Sequence, residues 1–192
     1  MLWCVDTSAW IDAVRFYNPA SALFERFWAF LEQEILAGRV ISPKAVHNEL
    51  REKTLGDSPS FAAFVKRVKG SLFAEETAEL QTLFAAITNQ YPDLTKKGKP
   101  FARSDADAWV IALAEIHGAL VVSQEKPKPA AAVPYKIPDV ARARGLTPVP
   151  LHDFLNSLQG LPTVAALGPT VAGSSPDSKV PDPAPAEGDD AE

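Results

Sequence analysis

Four acidic residues, Asp6, Glu49, Asp107 and Glu125, have the types and the places in the chain to do chemistry together. Asp6 follows the apolar run Leu2–Val5, and Glu125 follows the apolar run that begins at Ala119. Asp107 falls in the first turn of a predicted helix over Ser104–His117, and Glu49 lies in a predicted helix opened by Ser42-Pro43. If these elements share a parallel sheet, all four acids converge on one end of it. Close carboxylates repel, and a hard divalent cation relieves the repulsion. All-oxygen ligation favours magnesium or manganese. A metal held this way activates water and offsets charge in phosphodiester cleavage, so the set points to metal-dependent hydrolysis.

Each acid also has a plainer role. Asp6-Thr7-Ser8 has the composition of a helix cap, and Ser104-x-x-Asp107 has the form of a capping box. Glu49 alone reads as a solvated helix face, and Glu125 as a loop acid beside Lys126. The functional reading rests on the four occurring together. Asp105 stands beside Asp107 as a second candidate for the third acid. Other site chemistries fit less well. The Asp-x-Asp of an aspartyl-phosphate phosphatase fails at Ser8, and an adhesion-type Asp-x-Ser-x-Ser metal site fails at Trp10. There is no glycine-rich phosphate cradle, and Ser8, His47 and Asp12 lack the nucleophile elbow of a hydrolase triad.

The elements that must position the acids alternate. Leu2–Val5, Val40-Ile41 and Ala119–Val122 are short apolar strands, and Leu146–Leu151 is an edge strand because Pro148 and Pro150 cannot donate to a ladder. Between them lie amphipathic helices. Leu23, Phe24, Phe27, Leu31 and Ile35 stripe one, ended by Gly38. Ser42 is expected to cap the next, with Pro43 at its first position. Ser58–Gln90 reads as one or two further helices, and Trp109, Ala112, Leu113 and Ile116 mark the buried face of the Ser104–His117 helix. The expected class is α/β, with a short, mostly parallel central sheet flanked by helices.

Charge is unevenly placed. The formal net charge of −5 resides in the tail from Leu161, which holds six acids and one lysine, so residues 1–160 balance. Bulk charge therefore neither demands nor forbids a nucleic-acid partner. The tail also has six of the seventeen prolines and no aromatic residue, so 161–192 is expected to be a disordered Pro/Ala/acidic extension of a 1–160 domain. The single cysteine, Cys4, permits no internal disulfide and no cysteine-based zinc site. With no signal-peptide pattern and no membrane-length apolar stretch, the expected location is the cytoplasm. Lys96, Lys97, Lys99 and Arg103 lie in one loop leading into the helix of Asp107 and are candidate substrate-binding residues, as are Ser8 and Ser123 beside the first and fourth acids.

The whole pattern resembles the PIN domain, the metal-dependent ribonuclease fold of many VapC-like toxins of toxin–antitoxin pairs. Val5-Asp6-Thr7-Ser8-Ala9-Trp10 looks like the family's opening strand and first acid. Ile41-Ser42-Pro43 through Glu49-Leu50 is similar to its second strand and acid. Asp107-Ala108-Trp109-Val110-Ile111-Ala112-Leu113-Ala114 with His117-Gly118 resembles its most specific motif, and Val121-Val122-Ser123-Gln124-Glu125 its fourth. The likeness covers about residues 1–158 and is strongest to a little-characterised PIN-like subgroup with a Lys-Ile-Pro segment, here Lys136-Ile137-Pro138. The sequence departs from the common pattern in having Glu125 where Asp is commoner, and in a longer 54–103 region.

The resemblance implies RNA cleavage with magnesium or manganese. Asp6 and Asp107 would be the main metal ligands. Glu49 would complete the site directly or through water, and Glu125 would bind metal or orient the attacking water. It further implies an RNA substrate, a protein antitoxin and, as often in the family, a homodimer; the lack of a membrane-length apolar stretch adds the expectation of no membrane partner. The alternative is a non-catalytic PIN-like RNA-binding or scaffold module. A flap-type DNA nuclease ranks last, because the chain has no long basic helical arch.

Overall fold

In the computed structural model the described residues are 1–92, 94, 106–128 and 135–158. The chain divides into two units, Met1–Leu161 and Pro162–Glu192, and only the first contains described residues. The basic loop residues Lys96, Lys97, Lys99 and Arg103, the alternative acid Asp105 and the tail 161–192 all lie outside the described residues.

Among the described residues five strands form one sheet, all parallel: β1 (Trp3–Val5), β2 (Val40–Pro43), β3 (Phe73–Ala74), β4 (Leu120–Val122) and β5 (Pro148–Val149), in the order β3-β2-β1-β4-β5. Cys4 pairs with Ile41 on one side and with Val121 on the other, so β1 is central. Its three residues are all buried, as a strand covered on both faces requires. Among the described residues eight α-helices provide the cover: α1 (Thr7–Phe16), α2 (Glu25–Leu36), α3 (Lys44–Lys53), α4 (Pro59–Leu72), α5 (Ala78–Gln90), α6 (Ala106–His117), α7 (Ile137–Ala143) and α8 (Leu151–Ser157). The expected α/β architecture is present, and the sheet is wholly parallel. Among the described residues no helix is long and apolar enough to cross a membrane.

Side chains of a strand alternate between faces. The Cys4 thiol points to α6, 3.5 Å from the Val110 carbonyl, whereas Trp3 meets Phe154 of α8 edge-on at 5.1 Å. Helix α6 is buried on nearly every side, through Ala106, Ala108, Val110, Ile111, Ala112, Leu113 and Ala114. Its many alanines let it lie close to the sheet. The stripe expected on this helix therefore differs from the observed one: Ala112 and Leu113 are buried, but Trp109 and Ile116 are only partly covered. A second core region is aromatic. Trp28 of α2 packs on Phe61 and Phe64 of α4, and Trp10 of α1 lies 6.2 Å from Phe61.

Two local expectations are corrected. Ser42 does not cap α3; Pro43 occupies the cap position, and no side chain caps it. The fully buried Ser42 hydroxyl instead donates to the Val5 carbonyl at 2.7 Å and accepts from Trp10 Nε1 at 3.0 Å. Pinning β2 to the end of β1 and to α1 takes precedence over capping, because both Val5 O and the indole N–H would otherwise be buried unpaired. The strand β3 interrupts a region read as helical. Phe73 follows α4 directly and pairs beside Ser42.

Candidate active site

The strand order reverses about β1. From there the chain builds outward through β2 to β3, then returns to add β4 and β5 on the other side. In open parallel sheets the crevice at the carboxyl ends of such neighbours is where ligands sit. Asp6 is the first residue past β1, and Ser123-Gln124-Glu125 follow β4. The backbone joins them directly, Asp6 N–H donating to the Val122 carbonyl at 2.9 Å.

Asp6 both caps α1 and faces this crevice. Its Oδ2 accepts from Ser8 N–H at 3.1 Å, from the Ser8 hydroxyl at 2.5 Å and from the Ser123 hydroxyl at 3.3 Å. The Asp6 side chain is therefore a helix cap as expected, and Ser8 and Ser123 are its partners. The Ser8 hydroxyl also accepts from Gln124 N–H at 3.0 Å. Gln124 in turn donates to Asp12 and accepts from Leu151 N–H, tying α1 and α8 to the loop after β4. Burial pushes the Asp6 carboxyl above its ordinary value. The Ser8 hydrogen bonds oppose this, and the nearby charge of Glu125 adds to it.

Glu125 is turned toward α7. Its Oε1 accepts from Lys136 Nζ at 2.5 Å and its Oε2 from Ile137 N–H at 3.0 Å. Lys136 is held above its ordinary value chiefly by that hydrogen bond, and the charges of Asp107 and Asp6 reinforce it. Three of the four acids, Asp6, Asp107 and Glu125, thus act on one ammonium. Asp107 is half-buried in the first turn of α6.

Glu49 lies next door, on α3, which packs against α1 and α6. It lines a cavity of about 610 Å³ together with Trp109, Asn48, Arg51 and Glu76. It is only 5% exposed. Its Oε2 takes a 3.3 Å contact from Lys53, one turn on, while Oε1 is buried with no hydrogen-bond partner. Such an orphaned carboxylate oxygen costs stability unless something binds it.

These donors fit a hard cation in kind: oxygen ligands, one orphaned, one raised by burial. As arranged, however, no group of three His, Cys, Asp or Glu side chains among the described residues is close enough to hold an ion. Asp6 is occupied by hydroxyls and Glu125 by Lys136. The hydrolase triad is not assembled either: Ser8 is bound to Asp6, Asp12 accepts from Gln124, and His47 lies 4.9 Å from the Phe73 ring.

Basic residues not singled out in the sequence line a second cavity of about 450 Å³, among them Arg51, Lys66 and Lys69. Arg51 lines both cavities. Lys66-Arg67-Val68-Lys69 is a short basic run on α4 that was there to be read, with its two lysines at i, i+3, whereas Arg51, on α3, stands apart from it in the chain. No curated protein matches the chain. Residues 3–160 match the model of a family described as a domain of unknown function, DUF4411, and the chain belongs to that family.

Proposed function

We propose that the protein is a metal-dependent endoribonuclease, the toxin of a toxin–antitoxin pair, acting in the cytoplasm on RNA. The reading is carried by one observation. Acids picked out by order in the sequence gather at the switch point of an all-parallel sheet: Asp6 directly after β1, Glu125 in the loop after β4, and Asp107 in the first turn of α6, which packs on β1. Asp6 and Asp107 would hold magnesium or manganese, with the orphaned Oε1 of Glu49 completing the set directly or through water. The ion, when bound, supplies a polarised water and offsets charge on the phosphate. Ser8 and Ser123 fix the Asp6 carboxylate in one orientation. Arg51, Lys66 and Lys69 offer positive charge to a polyanion, Arg51 in the same cavity as Glu49, which suits a domain without net charge. A protein antitoxin and a homodimer belong to the same reading.

The test is cleavage of single-stranded RNA with manganese by wild type and by Asp107→Asn. Loss of cleavage in the variant and in excess chelator is expected. Equal cleavage by both proteins refutes the assignment. Co-expression with the product of any adjacent small reading frame should relieve toxicity. The second reading, a non-catalytic RNA-binding or scaffold module, is favoured by the absence of a ready-made trio of metal ligands among the described residues. It is separated from the first by RNA binding that persists without any cleavage.

A further inference from the structure

The cavity of about 450 Å³ gathers polar side chains from two helices that both pack on β3. His47 and Arg51 are four apart on α3, and Lys66 and Lys69 are three apart on α4, so each pair shares one face of its helix. Leu55 and Val65 add apolar lining. None of the three cations has an ion pair or a side-chain hydrogen bond among the described residues, although their neighbours do: Lys44 is paired with Glu75, Lys53 with Glu49 and Arg67 with Glu32. Glu75, which feels the charge of Lys69, is already held by Lys44. Like charges gathered without a counter-charge attract an anion.

His47 is a second and independent sign of a ligand. It is only 9% exposed, lines the same cavity and packs on the Phe73 ring, yet its imidazole makes no hydrogen bond among the described residues. Unlike Glu49 Oε1, its ring nitrogens are not sealed from solvent, so an unused N–H opens on the cavity. Burial holds the imidazole below its ordinary pKa, and the charges of Lys69, Arg51 and Lys44 hold it lower still. The ring is neutral at pH 7 and serves as a hydrogen-bond donor without taking up a proton.

We propose that this cavity is a site for a phosphate monoester and that it holds the phosphorylated end of an RNA strand. The phosphate site stands on the cavity alone; the RNA end rests on the nuclease reading. A terminal phosphate carries about −1.5 to −2 at pH 7 and offers three oxygens to donors, whereas a backbone diester carries a single charge. Three cations and an N–H converging from two helices match the monoester. Arg51 also lines the cavity of Glu49 and Trp109, and Trp109 lies two residues beyond Asp107 on α6. A strand whose end is held by Arg51 and the two lysines therefore passes into that cavity and toward the acids, so that cleavage is measured from the phosphorylated end. No bond is made or broken by the four residues, which only hold phosphate oxygens. A 5′- and a 3′-phosphate present the same chemistry to them.

The experiment uses the full chain as wild type, Lys66→Ala/Lys69→Ala and His47→Phe, with circular dichroism confirming the fold. His47→Phe keeps a ring against Phe73 and removes the N–H, and both lysines are exposed, so their loss leaves the core intact. Three single-stranded oligoribonucleotides of one sequence, with a 5′-phosphate, a 3′-phosphate or neither, carry an internal fluorescein and are titrated by anisotropy in excess chelator. Wild type should bind one phosphorylated form on the order of tenfold more tightly than the form with neither, and which one assigns the end. The double lysine variant should bind all three within about twofold of one another, and His47→Phe should lose part of the preference. Equal binding of the three by wild type overturns the RNA end, and a preference kept by the double variant overturns its location. If His47→Phe fails to fold, the double variant decides. Nitrogen-15 NMR of the His47 ring, titrated with inorganic phosphate, reads the site without RNA. The ring signals should shift in wild type and stay in place in the double lysine variant; no shift in wild type overturns the phosphate site. A wild type whose His47 signals respond but which binds none of the oligoribonucleotides overturns the RNA end and keeps the phosphate site. One that shows the end preference but cleaves no RNA with manganese refutes the nuclease reading and leaves the site standing.

Discussion

Asp6→Asn separates a helix cap from a metal ligand, because the two roles give opposite results. Asn fills the same space, is itself a favoured cap, and its side-chain oxygen can accept from Ser8 and Ser123 as Asp6 Oδ2 does. Asp6 is 3% exposed and its carboxyl is raised, chiefly by burial. The charged form is therefore disfavoured in the folded protein. That cost is full above the folded pKa and gone below the unfolded one, so it weighs at pH 7 and fades as pH falls. Without metal, the variant should melt at or above the wild-type temperature at pH 7, and its advantage should shrink toward pH 4. With manganese the order reverses. At one hundred times its dissociation constant, a bound ion stabilises the wild type by about 2.7 kcal/mol. For a domain of this length that is about 5–11 °C in Tm. The variant should lose nearly all of this rise. Differential scanning calorimetry with and without manganese reads both effects. A variant that melts lower without metal and keeps the wild-type metal response would show that Asp6 is a structural carboxylate and that the crevice holds no ion through it.

Ser42→Ala should cost about 2–3 kcal/mol in denaturant unfolding, since it leaves both the Val5 carbonyl and the Trp10 indole N–H buried without a partner; a cost under about 0.5 kcal/mol would mean that neither group needs the hydroxyl. Glu49→Leu should raise metal-free stability by about 1–2 kcal/mol, because it removes the buried orphan oxygen while keeping the side chain's bulk, and should weaken manganese binding at least tenfold. A stabilised variant with unchanged manganese affinity would take Glu49 out of the metal set. Replacing Arg51, Lys66 and Lys69 together by Ala should flatten the salt dependence of RNA binding by roughly 2 if each holds one phosphate. The triple variant at Lys96, Lys97 and Lys99 offers the comparison, and the larger change identifies the face that RNA crosses.

The class of fold was legible because its signals are local and repeated. Leu2–Val5 and Ala119–Val122 are apolar runs too short for helices, each followed by polar residues, and Cys4 and Val121 prove to be paired neighbours. Asp6, Asp107 and Glu125 could be singled out because each follows a strand or begins a helix, which is where a parallel sheet gathers its loops; Glu49 lies midway along α3. Three things were not legible. The strand β3 is two residues at the end of α4, and its pairing with Ser42 depends on a long-range contact that no periodicity announces. Ser42 looked like a cap because the local pattern favours one; a buried indole N–H and a strand carbonyl recruited it instead.

The third was the pairing of Glu125 with Lys136. A carboxylate and a lysine eleven residues apart, across a proline-rich stretch, have no spacing rule, so the sequence could list four acids but not say which would face a metal and which would face a lysine. The distinction is electrostatic and exists only once the loop after β4 and the start of α7 are brought together. Lys53 meets Glu49 from one turn further along α3, and Lys136 meets Glu125 from the start of α7, so two of the four acids are paired with lysines that different helices deliver, one by local spacing and one by tertiary contact.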